Sequence, residues 1–582
     1  MTSLPGSDKP LIIQSDRTLL LETGGPRYEE ARDLLARFAE LVKSPDRIHT
    51  YRVTPLSLWN AAATGMTADQ AIAGLVSLSR YELPQNVEAD IREYVGRYGR
   101  MRLVKELDGS IVLEADDDVL ITEALHAKGM DRYVAARIDR RRLAIKPEHR
   151  GDVKQALIKI GRPVEDLAGY VRGTALDVAL RGEQGKGSSG ADPTWTMRDY
   201  QADAVAAYHA SGTEKGGSGV IVLPCGAGKT IVGIGALAAV GSHTLVLTAN
   251  ITAVHQWRDE ILARTTLQPE QVGEYTGEAK EIRPVTIGTY QMLTHRKKKS
   301  ADGAPGEMAN LPLFDQQDWG LIVYDEVHLL PAPVFRATAS LQARRRLGLT
   351  ATLVREDGAE EDVFALIGPK KYDVPWKLLE QKGWIAQATC REIRVPFPGE
   401  VERIQYASAD KKEKFRIAAE NPMKVEVVAR LAELHEKDHV LVIGQFLDQL
   451  ESMSRKLDAP IITGKTPAKE RDVLYRKFKS GEIPRLVVSK VANFAIDLPD
   501  ANVAIQISGT FGSRQEEAQR LGRVLRPKAP PSGDGYSRGG GGQAMFYTLV
   551  TRDTVELDYA ARRQLFLTEQ GYQYEIRDAG SS

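Results

Sequence analysis

The hydrophobic pattern changes character along the chain. Beyond Pro193, short apolar runs end in polar loops and alternate with stretches of helical spacing: Val220–Leu223, Thr244–Leu247, Leu321–Tyr324, Arg346–Leu349, Val440–Ile443, Leu486–Val488, Val503–Ile507 and Met545–Leu549. Runs this short and this uniformly apolar, set between helices, are the mark of parallel strands buried on both faces. They predict two doubly wound α/β units meeting near residue 370. Ligands of such sheets bind at the carboxyl ends of the strands, so the residues following each run are where chemistry is expected.

Before Pro193 the pattern mixes helix and strand. Thr54 followed by Pro55 reads as an N-cap with proline at the first helical position, and Thr67 with Gln70 as a capping box. Residues 100–115 and 142–147 are strand-like, and no catalytic motif stands out in this half. The stretches 182–193 and 530–543 are rich in Gly, Ser and Pro and read as linkers or loose loops; 297–310 reads as a surface insertion.

Composition narrows the class. The 582 residues suffice for several domains, and 42% hydrophobic with 27% charged residues is an ordinary globular balance. Lys plus Arg equals Asp plus Glu, 78 each, so a nucleic-acid site must be a local patch rather than a global charge. The two cysteines, Cys225 and Cys390, form no Cys-x-x-Cys pair. That excludes a disulfide scaffold and a cysteine-held zinc or iron–sulfur centre. No signal-peptide core and no membrane-length apolar run occurs, so a soluble, cytoplasmic protein is expected.

The run Val220–Leu223 leads into Pro224, Cys225, Gly226, Ala227, Gly228, Lys229 and Thr230, followed by a helix of small residues. The glycines let backbone N–H groups turn around a polyphosphate, and the helix N-terminus adds positive potential. Lys229 would reach the β and γ phosphates of ATP and Thr230 would offer its hydroxyl to Mg²⁺. The strict phosphate-loop pattern asks for glycine at position 223, where this chain has Leu223. The run Leu321–Tyr324 ends in Asp325 and Glu326. ATP hydrolysis needs one carboxylate for the metal and one to orient and deprotonate water; Asp325 fits the first job and Glu326 the second. His328 either contacts a coupling segment or simply packs.

The order of these motifs resembles superfamily 2 helicases of the Asp-Glu-x-His kind. Arg198 and Gln201 look like the adenine-reading segment. Thr350, Ala351 and Thr352 resemble the segment coupling hydrolysis to movement. The stretch Gln515–Arg526, with Gln519, Arg523 and Arg526, resembles the arginine-finger helix, and Asp497 fits the nucleotide-binding segment just before it. More narrowly, the chain resembles the XPB family in a bacterial form. Arg355, Glu356 and Asp357 match that family's Arg-Glu-Asp element, its phosphate loop also begins Leu-Pro-Cys, and Phe511–Arg520 and Ile48–Asn60 are similar to family segments.

The resemblance implies two RecA-like doubly wound parallel-sheet motor domains preceded by mixed α+β N-terminal domains. The expected bounds are an N-terminal domain over 1–96, a damage-recognition-like domain over 97–182, a linker over 183–193, an ATP-binding motor domain over 194–370 and a second motor domain over 371–582 with a thumb-like insertion at about 400–435. It implies 3′→5′ DNA unwinding or duplex translocation in repair, with ATP and Mg²⁺ as cofactors and single-stranded or forked DNA as partner. It also implies a monomeric, nucleoid-associated motor, with a nuclease or repair protein left open as a partner. One motor unit would bring Lys229, Thr230, Asp325 and Glu326, the other Gln519, Arg523 and Arg526, one helical turn separating the two arginines. DNA contacts are expected at strand ends, from Thr289, Tyr290, Gln445, Phe446, Ser489 and Lys490, with Arg355, Glu356 and Asp357 at the point of strand separation. The basic runs Arg296–Lys299, Arg344–Arg346 and Lys411–Arg416 are candidates for added field or plain solvated faces. A duplex translocase, an RNA-directed motor and a nucleotide-gated scaffold remain the competing readings, the last disfavoured by the water-activating Glu326.

Overall fold

The computed structural model describes residues 8–43, 47–181, 195–213, 216–224, 226–294, 317–330, 344–351, 360–374, 379, 382, 384, 388–489, 501–508, 544–569 and 573–580. The chain divides into two compact units, with the main boundary after Val374.

Within the first unit, the caps anticipated near the N-terminus form. The Thr54 hydroxyl accepts from the Ser57 N–H and starts the helix Pro55–Ala63, and Thr67 and Gln70 reciprocate at the start of Ala68–Leu78. These helices lie with a four-stranded sheet in the order Leu11–Ile13, Thr18–Glu22, Ile48–Arg52, Glu40–Lys43. A five-stranded sheet follows, ordered Val134–Arg137, Arg142–Ile145, Ile111–Ala115, Met101–Lys105, Glu165–Asp166, with its own core around Leu103, Leu113, Ile121 and Leu157.

The motor part of this unit is a seven-stranded sheet, ordered Val272–Tyr275, Val285–Thr289, Thr244–Thr248, Leu321–Asp325, Arg345–Thr350, Ser218–Val222, Lys370–Asp373. Every neighbouring pair is parallel. The four central strands Thr244–Thr248, Leu321–Asp325, Arg345–Thr350 and Ser218–Val222 are buried almost throughout, which is why they read as apolar runs. Lys370–Asp373 is a half-buried edge strand, KKYD, with no apolar run to announce it. It carries the first α/β sheet past the boundary expected at 370.

Part-buried polar contacts tie the N-terminal parts to this sheet and to the helix Glu360–Leu366 beside it. Asn60 Oδ1 accepts from the Lys370 N–H at 2.6 Å, and Gln155 donates to Asp362 at 2.8 Å. Tyr170 has two guanidiniums over its ring, Arg150 and Arg346, each 5.6 Å from the ring centroid. Burial alone would raise the Asp166 carboxyl, but Lys154 and Arg150 reverse this and hold it well below the ordinary range. Burial pushes the Lys154 ammonium down to about 7. Arg346, read as part of a basic run, is fully buried here and adds no field to a surface.

The second unit repeats the architecture: a seven-stranded sheet ordered Ile461–Ile462, Arg485–Ser489, Val440–Gly444, Val503–Gln506, Ala544–Thr551, Ala388–Val395, Gln573–Asp578. Its pairs are parallel as well. Of the segment about 400–435, the helix Met423–Leu434 belongs to the core of this sheet through Val427, Val428 and Leu431. Its Lys424 is buried in an ion pair with Glu556, 2.8 Å apart. Only Glu400–Ser408 and Lys411–Ala419 precede it, the first with no buried residue. No helix among the described residues is long and apolar enough to cross a membrane.

Candidate ATPase site

Sheet order assembles the site. The strand Arg345–Thr350 lies between the phosphate-loop strand Ser218–Val222 and the carboxylate strand Leu321–Asp325. Parallel neighbours sit about 4.8 Å apart, so the loop after one flanking strand and the acids after the other are about 10 Å apart at the backbone. A lysine spans that gap.

The loop is closed by local bonds: the Ala227 N–H donates to the Pro224 carbonyl, and those of Ile231 and Val232 to Gly228. Gly228 is the helix N-cap in the left-handed region, φ 79°, and a Cβ there would come within 2.5 Å of Gln201 Nε2. The left-handed backbone is what favours glycine, since the Gln201 amide at the end of its side chain can move aside. Lys229 begins the helix Lys229–Val240, with Thr230 half-buried beside it. Leu223 is fully buried and its N–H donates to the Thr350 carbonyl at 2.9 Å. Its side chain belongs to the core rather than the phosphate cradle, so a leucine is accommodated where the strict pattern has glycine. Gln201 Oε1 accepts from the Arg198 N–H at 3.0 Å, and the Arg198 guanidinium donates to the Tyr200 hydroxyl at 3.2 Å. Gln201 is thus brought to the phosphate loop, with the Arg198 backbone bonded to it. Cys225 lies outside the described residues.

At the carboxylate end, Lys229 Nζ is 2.9 Å from Glu326 Oε1. Glu326 has φ 50° and ψ 55°, a left-handed backbone unusual for a residue with a Cβ. Burial would raise its carboxyl, but Lys229 and then His328 turn the balance and lower it. Asp325 is pushed up, to about 6, by burial and then by the neighbouring Glu326 charge. Its Oδ2 accepts from the Trp257 indole N–H at 2.9 Å, and its carbonyl from the Tyr290 hydroxyl at 2.8 Å. His328 Nδ1 lies 2.7 Å from Thr350 Oγ1 and 3.4 Å from Glu326 Oε2. His328 therefore contacts Thr350, of the segment expected to couple hydrolysis to movement, and it is buried as well. Glu326 Oε2 is buried and accepts no hydrogen bond among the described residues. A half-buried carboxylate pair with such an oxygen, opposite a lysine and a helix N-terminus, fits magnesium and a polyphosphate. Thr230 and Asp325 would hold the metal, whose role when bound is to neutralise phosphate charge.

The expected DNA contacts are placed unevenly. Thr289, Tyr290 and Ser489 are buried, so their side chains are not offered to a phosphate, and the Tyr290 hydroxyl is committed to Asp325. Gln445 is exposed, its N–H donating to Ser508 Oγ, while Phe446 packs 6.1 Å from Phe415 with the Arg416 guanidinium 5.9 Å from its ring. Thr352, Arg355, Glu356, Asp357, Lys490, Asp497, Gln519, Arg523 and Arg526 lie outside the described residues. Reading the sequence missed Trp257 and the bond from the Tyr290 hydroxyl to Asp325. Both belong to segments that carry no motif, and only their packing reveals what they touch.

Comparison with known proteins accords with this arrangement. Residues 379–580 match the family model described as ERCC3/RAD25/XPB C-terminal helicase, and 194–355 match that of the type III restriction enzyme res subunit. Residues 11–139 match one described as a helicase conserved C-terminal domain, although here they form the N-terminal α+β sheets. The chain is 52% identical over 573 residues to the DNA 3′-5′ helicase XPB of Mycobacterium tuberculosis, covering 98% of both chains. It is also 52% identical to the DNA 3′-5′ helicase XPB of Kineococcus radiotolerans, over 98% of this chain and 97% of that one. With the general transcription and DNA repair factor IIH helicase/translocase subunit XPB of Encephalitozoon cuniculi it shares 34% identity, over 98% of this chain and 83% of the relative. Near-full-length identity at this level, joined to the phosphate loop and acid pair set on either side of a common strand, means that the chain belongs to the XPB family of superfamily 2 helicases.

Proposed function

We propose that the chain is an ATP-dependent 3′→5′ DNA helicase that couples hydrolysis to strand separation or translocation and acts in DNA repair. The observation that carries the reading is the Lys229–Glu326–His328–Thr350 chain of contacts, which joins the phosphate loop and the water-activating acid to the coupling segment. In this reading Lys229 and the loop N–H groups bind the phosphates, Thr230 and Asp325 hold magnesium, and Glu326 deprotonates the attacking water. Arg198 and Gln201 face the adenine end. Gln519, Arg523 and Arg526 stabilise charge on the γ-phosphate, Asp497 assists, and Thr350, Ala351 and Thr352 relay the nucleotide state. Arg355, Glu356 and Asp357 divide the strands. Gln445, Phe446 and Lys490 track the strand, single-stranded or forked DNA being the substrate. The motor works as a monomer in the nucleoid, with a nuclease or other repair protein as a candidate partner.

Arginines at and beside the five-stranded sheet form the patch read here as duplex-binding: Arg140 and Arg141 are exposed, while Arg102 and Arg142 are half-buried and paired with Asp116 and Asp139. Arg102, Arg140, Arg141 and Arg142 line an open groove of about 480 Å³ with only Glu114 and Asp139 as acids. Contacts of this kind go to phosphates, and they bind without reading sequence. A duplex translocase is the second reading, favoured by the word translocase in the name of the Encephalitozoon relative.

The test is ATPase and unwinding on forked, 3′-tailed and 5′-tailed DNA, with RNA as control and triplex displacement alongside. Unwinding of 3′-tailed and forked DNA is expected. Triplex displacement without unwinding selects the translocase, and stimulation by RNA alone overturns both. Replacing Arg355, Glu356 and Asp357 together by Ala should leave DNA-stimulated ATPase largely intact and remove unwinding.

A further inference from the structure

Trp257 sits at a junction that no motif assigns. It lies on the helix Ile251–Arg264, which follows the strand Thr244–Thr248 and is capped by the Asn250 side chain. The side chain is 2% exposed. Its indole N–H donates to Asp325 Oδ2 at 2.9 Å. The far edge of the ring lies over Gly233 of the phosphate-loop helix: a Cβ on that glycine would stand 2.3 Å from the ring carbon Cη2 and 3.1 Å from Leu349 Cδ1. Gly233 is therefore the vacancy that admits the indole. One ring lies against the phosphate-loop helix and donates to the carboxylate strand, and Leu349 flanks the same glycine.

A carboxylate at a strand end can rotate about χ2 unless one oxygen is held, and a single neutral N–H donor fixes it without adding charge. We propose that Trp257 is a positioning residue for magnesium-nucleotide binding: its N–H pins Oδ2 of Asp325 so that Oδ1 faces the metal of Mg·ATP. This rests on the ATPase reading above. The indole also makes the helix Ile251–Arg264 a lever on that carboxylate, because a shift of the helix moves the N–H with it. Loss of a partner that orients a metal ligand costs about 10- to 100-fold in metal affinity.

The experiment compares equilibrium binding of a nonhydrolysable ATP analogue with and without magnesium, in the full chain. W257F keeps an aromatic ring and deletes the donor. A second variant places the benzothiophene analogue of tryptophan at 257, which keeps the ring outline against Gly233 and lacks only the N–H. Both should weaken the magnesium-bound nucleotide by about tenfold or more while shifting the metal-free nucleotide less than about twofold, and manganese titrated by EPR in the presence of nucleotide should weaken in parallel. Equal weakening with and without metal, or none in the benzothiophene variant, overturns the proposal and leaves Trp257 as packing. If the unaltered chain shows no magnesium dependence of nucleotide binding, the ATPase reading itself falls, and the two failures are told apart by that control.

Discussion

The Lys229–Glu326 contact makes E326Q informative in two directions at once. In this structure Lys229 Nζ sits 2.9 Å from Glu326 Oε1, with the two side chains only 11% and 20% exposed. To meet the phosphates of ATP, Lys229 must leave a carboxylate. A hydrogen bond to a charged group contributes about 1.5–3 kcal/mol and a neutral one about 0.5–1.5 kcal/mol. Glutamine keeps the length and an oxygen acceptor but not the charge, so releasing Lys229 becomes easier by about 1 kcal/mol, or about fivefold in affinity. Removing the negative charge facing the γ-phosphate acts in the same sense. The water-activating base is lost, and turnover should drop by about 10²–10⁴. Calorimetric titration with a nonhydrolysable ATP analogue and single-turnover hydrolysis of ATP read the two effects separately. Weaker analogue binding would refute the claim that the ion pair competes with ATP. Turnover within about tenfold of the unaltered chain would refute Glu326 as base.

Three further outcomes are expected. Asp325 is pushed up to about 6, above an unfolded value near 3.9; the folded chain then binds the extra proton between those values, so stability falls as pH rises through that window. D325N, which still accepts from Trp257, should melt higher than the unaltered chain at pH 8 in EDTA, with the gap closing towards pH 4; a pH-independent gap counts against a burial penalty on this carboxyl. K424A, which strands the buried Glu556 carboxylate, should cost about 3–5 kcal/mol and lower the calorimetric transition of the second unit by about 6–20 °C; a shift under about 2 °C rules out the pair as a structural tie. R140A with R141A should weaken binding to duplexes of different sequence alike and flatten the salt dependence by up to two phosphate contacts, about 0.9 in slope for each; an unchanged slope removes the groove from the DNA path.

The sequence determined the sheets, the loop and the acids. Strands buried on both faces must be apolar from end to end, so Val220–Leu223, Thr244–Leu247, Leu321–Tyr324 and Val440–Ile443 announced themselves, and phosphate chemistry restricts its residues so tightly that Lys229, Asp325 and Glu326 could be proposed by position, residues which the fold then brings together. Thr54 and Thr67 were legible because a cap is a local bond. Half-exposed edge strands such as Lys370–Asp373 and Gln573–Asp578 were not, since solvent on one side removes the apolar signal. Only the tertiary structure decided what lies across a strand boundary. It set Arg346 in the core beside Tyr170, turned the Tyr290 hydroxyl to Asp325, and laid Trp257 over Gly233. The physical reason is common to all three: a periodicity reports which face of an element is buried, whereas the partner of a buried polar atom comes from a segment distant in sequence, and only folding brings the two together.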